Sequence, residues 1–210
     1  MENILQQLVK KAAKPKIIKD STELRIRMVL TGVTPIMVNP KNDEISPKEM
    51  SPEEQAKLKI HQDSKGVHGI PAMMLYRTWV MGGKEVEVKL VGKTRKSLLT
   101  SSKGGSKVGS FISFEQNFFP FLNQKEKWVL DSQQFPAENA AGKMTQQIAH
   151  RPRWDKWAIE VVAILDVSEL SEDDFMTLVA RSGKRVGIGS YSPRCGGWFG
   201  KYKITQWEHC

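Results

Sequence analysis

The sequence predicts an α+β domain whose strongest elements run strand, helix, strand, strand, helix, strand, with long insertions between them. Three observations carry this. Residues 24–30 alternate in hydropathy. Residues 156–166 form a β-branched, nearly continuous apolar run. Helical segments at 71–81 and 172–182 lie on either side of that run. The order βαββαβ is the ferredoxin-like plan, here with insertions at about 40–69, 84–124 and 132–153.

In chain order, residues 2–13 place Ile4, Leu5, Leu8, Val9 and Ala12 on one helical face before Pro15 and a run of lysines. Residues 1–22 are therefore expected to be a basic amphipathic arm, and 23–210 a single domain. In the first strand Leu24, Ile26, Met28 and Leu30 share a face, and Gly32, Pro35 and Pro40 end it. Ser51, Pro52 and Glu54 read as a capping box opening a short surface helix over 52–61. Residues 71–81, apolar on most sides, are a core helix stopped by Gly82 and Gly83. Residues 85–90 alternate like a strand, 92–109 read as a mobile loop, and 111–114 as a short strand. A strand at about 126–131 takes the third place in the plan, followed by a polar loop over 132–150. Residues 156–166 are the buried central strand. Ser171 caps a helix carrying Phe175, Leu178 and Val179 at helical spacing, and 199–207 form the last strand.

With 40% hydrophobic and 26% charged residues over 210 positions, the composition is that of an ordinary soluble chain. Such a length buries roughly 70% of its unfolded surface, enough to fold without metal or disulfides. No apolar run approaches the ~20 residues that span a bilayer, and the N-terminus lacks the apolar core of a signal peptide. Cys195 and Cys210 are placed poorly for a structural pair, so a reducing, cytoplasmic setting is expected.

Charge is unevenly spread. Segment 92–109 holds Lys93, Arg95, Lys96, Lys103 and Lys107 without an acid, and segment 181–203 holds Arg181, Lys184, Arg185, Arg194, Lys201 and Lys203 without an acid. Together they exceed the net charge of +9, leaving the rest of the chain slightly acidic. Like charge confined to two segments repels itself unless an anion uses it, and a polyphosphate is the natural partner.

The densest constellation is 183–200, with six of the 16 glycines. Glycine admits positive φ and close approach to the backbone. Gly187 and Gly189 about Ile188 predict main-chain N–H groups turned outward. Lys184, Arg185 and Arg194 add charge, and Tyr191 and Trp198 add stacking faces. The same residues would also serve a tight turn packing helix on sheet. In Arg151, Pro152, Arg153 and Trp154, the proline stiffens the backbone so that two arginines project beside an indole; a bend with Trp154 in the core is the alternative. Gly92, Lys93 and Thr94 do not make a P-loop, because Glu87 stands where glycine is required, and Ser192 breaks a dinucleotide fingerprint.

The glycine loop, with Gly187, Gly189, Gly197, Phe199 and Gly200 following a second helix, resembles that of the RAMP superfamily, the Cas5-, Cas6- and Cas7-type proteins that bind CRISPR RNA. Over about 24–204 the chain also resembles a family of small phage-encoded proteins without assigned activity, through GVTPIM at 32–37, GIPA at 69–72, RPRW at 151–154 and VGIGSYSP at 186–193. For a phage-encoded protein the compartment would be the host cytoplasm. The resemblance implies an RRM-like or RAMP-like body that binds nucleic acid.

None of His61, His68, His150 and His209 forms a metal-spaced set, so no metal and no cofactor are expected. The expected function is non-catalytic binding of single-stranded RNA or DNA, whose phosphates and base faces are alike. Lys93, Arg95, Lys96, Lys103, Lys107, Arg151, Arg153, Lys184, Arg185 and Arg194 would meet phosphates. Gly187, Gly189 and Gly197 would admit the strand, and Trp154, Tyr191 and Trp198 would stack on bases. Copies would assemble along the strand, as a homo-oligomer or in a larger ribonucleoprotein, with no membrane involved. One alternative is a metal-independent Cas6-like endoribonuclease using His68 or His150. Another is a phage protein that sequesters a nucleotide messenger.

Overall fold

The computed structural model describes residues 22–40, 50–123, 125, 127–138 and 142–210. Apart from Thr22, the arm expected over 1–22 lies outside the described residues. The chain is a mixed α/β structure with antiparallel sheets. Its elements are β1 (Glu23–Gly32), β2 (Ile36–Met37), α1 (Pro52–Lys57), β3 (Gly69–Pro71), α2 (Ala72–Gly82), β4 (Glu87–Val88) and β5 (Ser97–Leu98). A single turn α3 (Val108–Phe111), β6 (Ile112–Phe114), β7 (Phe118–Pro120), β8 (Val129–Glu138), β9 (Met144–Trp154), β10 (Ala158–Asp166), α4 (Glu172–Arg185) and β11 (Tyr202–His209) follow.

The main sheet has the order β11-β1-β10-β6, and every neighbouring pair is antiparallel. Alternation along β1 sends Ile26, Met28 and Leu30 into the core, opposite Ala163, Val161 and Ile159 of β10. Helices α2 and α4 pack against each other over this layer, burying Leu75 and Trp79 from one and Phe175, Leu178 and Val179 from the other. They meet so closely that a side-chain carbon at Gly82 would overlap the Ser182 hydroxyl. Trp79 donates its indole N–H to the Tyr202 hydroxyl at 3.0 Å, tying α2 to β11, and burial pushes that phenol's pKa up. Ser171 accepts the Asp174 N–H, and acids in the first turn of α4 with Lys184 and Arg185 in the last suit its dipole. The Ser51–Glu54 capping box of α1 is present as the sequence predicts.

A second sheet, β2-β9-β8, is a long hairpin edged by a two-residue strand, with α1 packed on it. Here the expectation needs correction. The strand foreseen at 126–131 begins β8 of this second sheet, and the place beside β10 in the main sheet belongs to β6. The polar loop foreseen over 132–150 is largely the hairpin itself. Strand 85–90 shrinks to β4, and 111–114 divides between α3 and β6. The mobile loop foreseen over 92–109 is tied into the body. Leu99 and Thr100 are buried, Thr100 N–H donates to Gly83 O at 3.1 Å, and the Thr100 and Ser106 hydroxyls meet at 2.8 Å. No helix among the described residues is long and apolar enough to cross a membrane.

Candidate nucleic-acid interface

The glycine loop closes the gap between α4 and β11, and it does so with its backbone. Gly187 N–H donates to Ser182 O, Ile188 N–H to Gly200 O, Ser190 N–H to Met37 O at 2.8 Å and Gly200 N–H to Pro35 O at 2.7 Å. The Thr78 hydroxyl donates to Gly187 O at 3.1 Å. Of the N–H groups expected to turn outward about Ile188, those of Gly187 and Ile188 are thus spent inside the fold, because the segment must hold α2 and the residues around β2 together. Gly189 and Gly200 have φ of +86° and +67°, and a Cβ at either would collide with a carbonyl oxygen, Met37 O or Ile188 O. Gly197 lies against the Tyr191 backbone.

Outside this frame, side chains face solvent. Trp198 is 56% exposed, its ring 4.4 Å from that of buried Phe199. Lys184, Arg185 and Arg194 are exposed; Arg185 lies 3.5 Å from Glu85. Between the loop and α2 opens a cleft of about 390 Å³, lined by Asn39, Pro40, His61, Met74, Arg77, Thr78, Gly187, Gly189, Ser190, Ser192, Arg194 and Cys195. Among the described residues its lining holds two arginines and no carboxylate. Burial pushes the His61 imidazole down, so it is neutral at pH 7.

The basic segment makes a second concavity. Lys93, Thr94, Arg95, Lys96, Ser97 and Lys107 surround a pocket of about 270 Å³ over Leu90, again without an acid among the described residues. Lys103 stands exposed on the turn between Thr100 and Ser106.

The arginines and tryptophan of 151–154 do not present as foreseen. They belong to β9, not to a free approach to β10. Trp154 is 1% exposed, packed on Phe121 at 5.0 Å and edge-on to His68 at 5.8 Å, so its faces are closed to a base. Arg151 is buried with its guanidinium 4.6 Å from the centre of the Tyr191 ring. Arg153 pairs with Asp131 at 2.6 Å and Asp155 at 2.8 Å. Trp154 and Arg151 hold the second sheet to its surroundings, and Arg153 ties its two long strands together.

Nor does the main sheet supply stacking rings. Strands β1 and β10 contain no aromatic residue. Phe114 of β6, Tyr202 and Trp207 all turn toward the helices, contacting Trp79, Trp79 and Phe175. Among the described residues the exposed aromatic surface for a base is on Trp198.

Of the histidines considered for catalysis, His68 is half-buried against Trp154, and burial pushes its pKa down. His150 places Nδ1 2.8 Å from the Ser132 hydroxyl across the hairpin. Among the described residues no three His, Cys, Asp or Glu side chains are grouped to hold a metal ion. The cleft residues Asn39, Pro40, His61, Met74 and Arg77 escaped the reading of the sequence. The one available signal was Arg77, the single charge in the helix AMMLYRTWVMG.

The chain matches no family model, and no curated protein matches it. Among solved structures it is similar to a chain of the Type III-B Cmr-beta bound to cognate target RNA, with 12% identity and a TM-score of 0.46 over 98% of this chain and 64% of that one. It thus spans less than two thirds of that chain's length. It is also similar to Cmr6 from Pyrococcus furiosus, with 8% identity and a TM-score of 0.43 over 86% of this chain and 98% of that one.

Proposed function

We propose that this chain binds single-stranded nucleic acid, RNA or DNA, without cleaving it, on a ferredoxin-like body of RAMP type. The body is supported by the order of its principal elements, β1, α2, β6, β10, α4 and β11, with the last strand beside the first and the third between the first and the second. The observation that carries the binding is the basic turn. Lys93, Arg95, Lys96 and Lys107 converge on one pocket with no carboxylate in its lining, an arrangement that repels itself until an anion arrives. Lys103, Lys184, Arg185 and Arg194 are further exposed cations, and Trp198 offers a face for a base. Copies assemble along a strand or join a larger ribonucleoprotein.

Fluorescence anisotropy with labelled 20-nucleotide RNA and DNA, titrated between 50 and 300 mM salt, tests this. Each neutralised phosphate contributes a log–log slope of about −0.7, so five contacts give about −3.5. An affinity flat in salt would sink strand binding. Metal-free cleavage of the RNA that disappears in His150→Ala or His68→Ala would make the protein a nuclease instead.

A further inference from the structure

The two concavities, without an acid among the described residues that line them, differ in what lines them. The basic turn offers ammonium, guanidinium and hydroxyl groups over a single leucine, which suits a phosphate. The cleft beside the glycine loop has a different composition. Arg77 and Arg194 stand exposed at its rim, while Met74 and Pro40 supply apolar surface. Asn39 adds an amide that can donate to and accept from the same flat edge. A thioether packs well on an aromatic ring. At about 390 Å³ the cleft sits near the lower end of the ~300–1,000 Å³ usual for small-molecule sites, enough for one nucleotide and too little for two. Its walls are set in advance by the Ser190–Met37 and Thr78–Gly187 hydrogen bonds.

We propose that this cleft seats one unstacked nucleotide of the bound strand, its base against Met74 and Pro40 and its phosphate between Arg77 and Arg194. This rests on the strand-binding reading above and adds to it a specific place for a base. Asn39 reads the base edge, and neutral His61 contributes a hydrogen bond without adding a third positive charge.

Cys195 lines the same cleft and is exposed, whereas Cys210 is not among the lining residues. The test uses the Cys210→Ser protein and an oligonucleotide in which one base carries a short thiol tether as its mixed disulfide with thionitrobenzoate. The Cys195 thiolate attacks the tether sulfur, a new S–S bond forms, and thionitrobenzoate leaves with the electron pair. Under the proposal the oligonucleotide links to Cys195, and nucleoside 5′-monophosphates slow the linkage while inorganic phosphate at equal concentration does not. Arg77→Ala, a change at an exposed side chain, slows it about tenfold at subsaturating protein through loss of a charged hydrogen bond. Met74→Trp fills the cleft and abolishes it, with circular dichroism checking the fold. An oligonucleotide that binds by anisotropy but links no faster than the tethered nucleoside alone overturns the cleft assignment and leaves strand binding standing. An oligonucleotide that does not bind at low salt overturns both.

Discussion

The glycine loop and the basic turn carry the same sign of charge and the same small residues, yet they are built in opposite ways. In the first, the backbone is committed: Ile188, Ser190 and Gly200 donate their N–H groups to Gly200, Met37 and Pro35, and Gly187, Gly189 and Gly200, all at positive φ, abut carbonyls. In the second, the neck is tied at Thr100, but Lys93, Arg95, Lys96, Lys103 and Lys107 all remain exposed. A substitution in the one acts on the fold; a substitution in the other acts on what the fold meets. Glycine and lysine content alone does not separate the two.

The sharpest way to break this contrast is Gly200→Val. Its Cβ would run into the Ile188 carbonyl at a φ of +67°, so the expected loss is at least ~3 kcal/mol, or roughly 6–12 °C in Tm. A folded variant of unchanged Tm would remove the loop's architectural role. Next in size is the triple change Lys93→Ala, Arg95→Ala and Lys96→Ala. Thermal melting should move little, since each site is exposed and such changes stay within about 0.5 kcal/mol. The salt slope of strand binding should shallow by about 2; an unaltered slope would take the turn out of the interface.

Trp198→Ala probes the point where the two kinds of construction meet, an exposed ring on a committed backbone. It should cost ~1–3 kcal/mol of strand affinity through lost stacking, read by anisotropy, with a melting shift far below that of Gly200→Val. The reverse ranking would make Trp198 a packing residue.

The smallest effect lies away from both loops. Glu172 accepts the Trp207 indole N–H at 2.7 Å and lies 2.8 Å from His209 Nε2, and these bonds, the indole's first, hold its pKa below the usual glutamate range. A depressed folded-state pKa means the stabilisation is present above the ordinary value of about 4.3 and is lost as pH falls through the lower folded value. Wild type and Glu172→Gln should therefore differ at pH 6 and converge toward pH 3 in denaturant melts, with strand affinity equal in the two at pH 7.

Much of the main layer was legible because one face of each element is buried and period alone reveals it, as in Ile26, Met28 and Leu30 or Phe175, Leu178 and Val179. The hairpin was not. Ser132, Gln133 and Gln134 pair with His150, Ala149 and Ile148, and a ladder so polar on one side gives no alternation to read. The short strand at 111–114 was read, but its place beside β10 was not, because β6 has three residues, too few for a period that would rank it above 126–131. At the interface, Gly187, Gly189 and Arg194 were found from local density of glycine and charge. His61 and Asn39 join them only through tertiary packing across more than a hundred residues. Arg153 misled for the same reason: its partner Asp131 sits on the neighbouring strand, where no motif in 151–154 could announce it.

The tip of the basic turn has a further consequence. Its neck is closed by Thr100 and Ser106, while a Cβ at Gly104 would meet no heavy atom within 4 Å. Because the ends are already pinned together, lengthening the loop between them costs only about 0.6 kcal/mol per doubling. Insertions there leave the body untouched. Over evolutionary time this is where length variation would collect first, letting such a chain acquire new contacts without renegotiating its core. The same property makes 103–105 the place to graft a reporter.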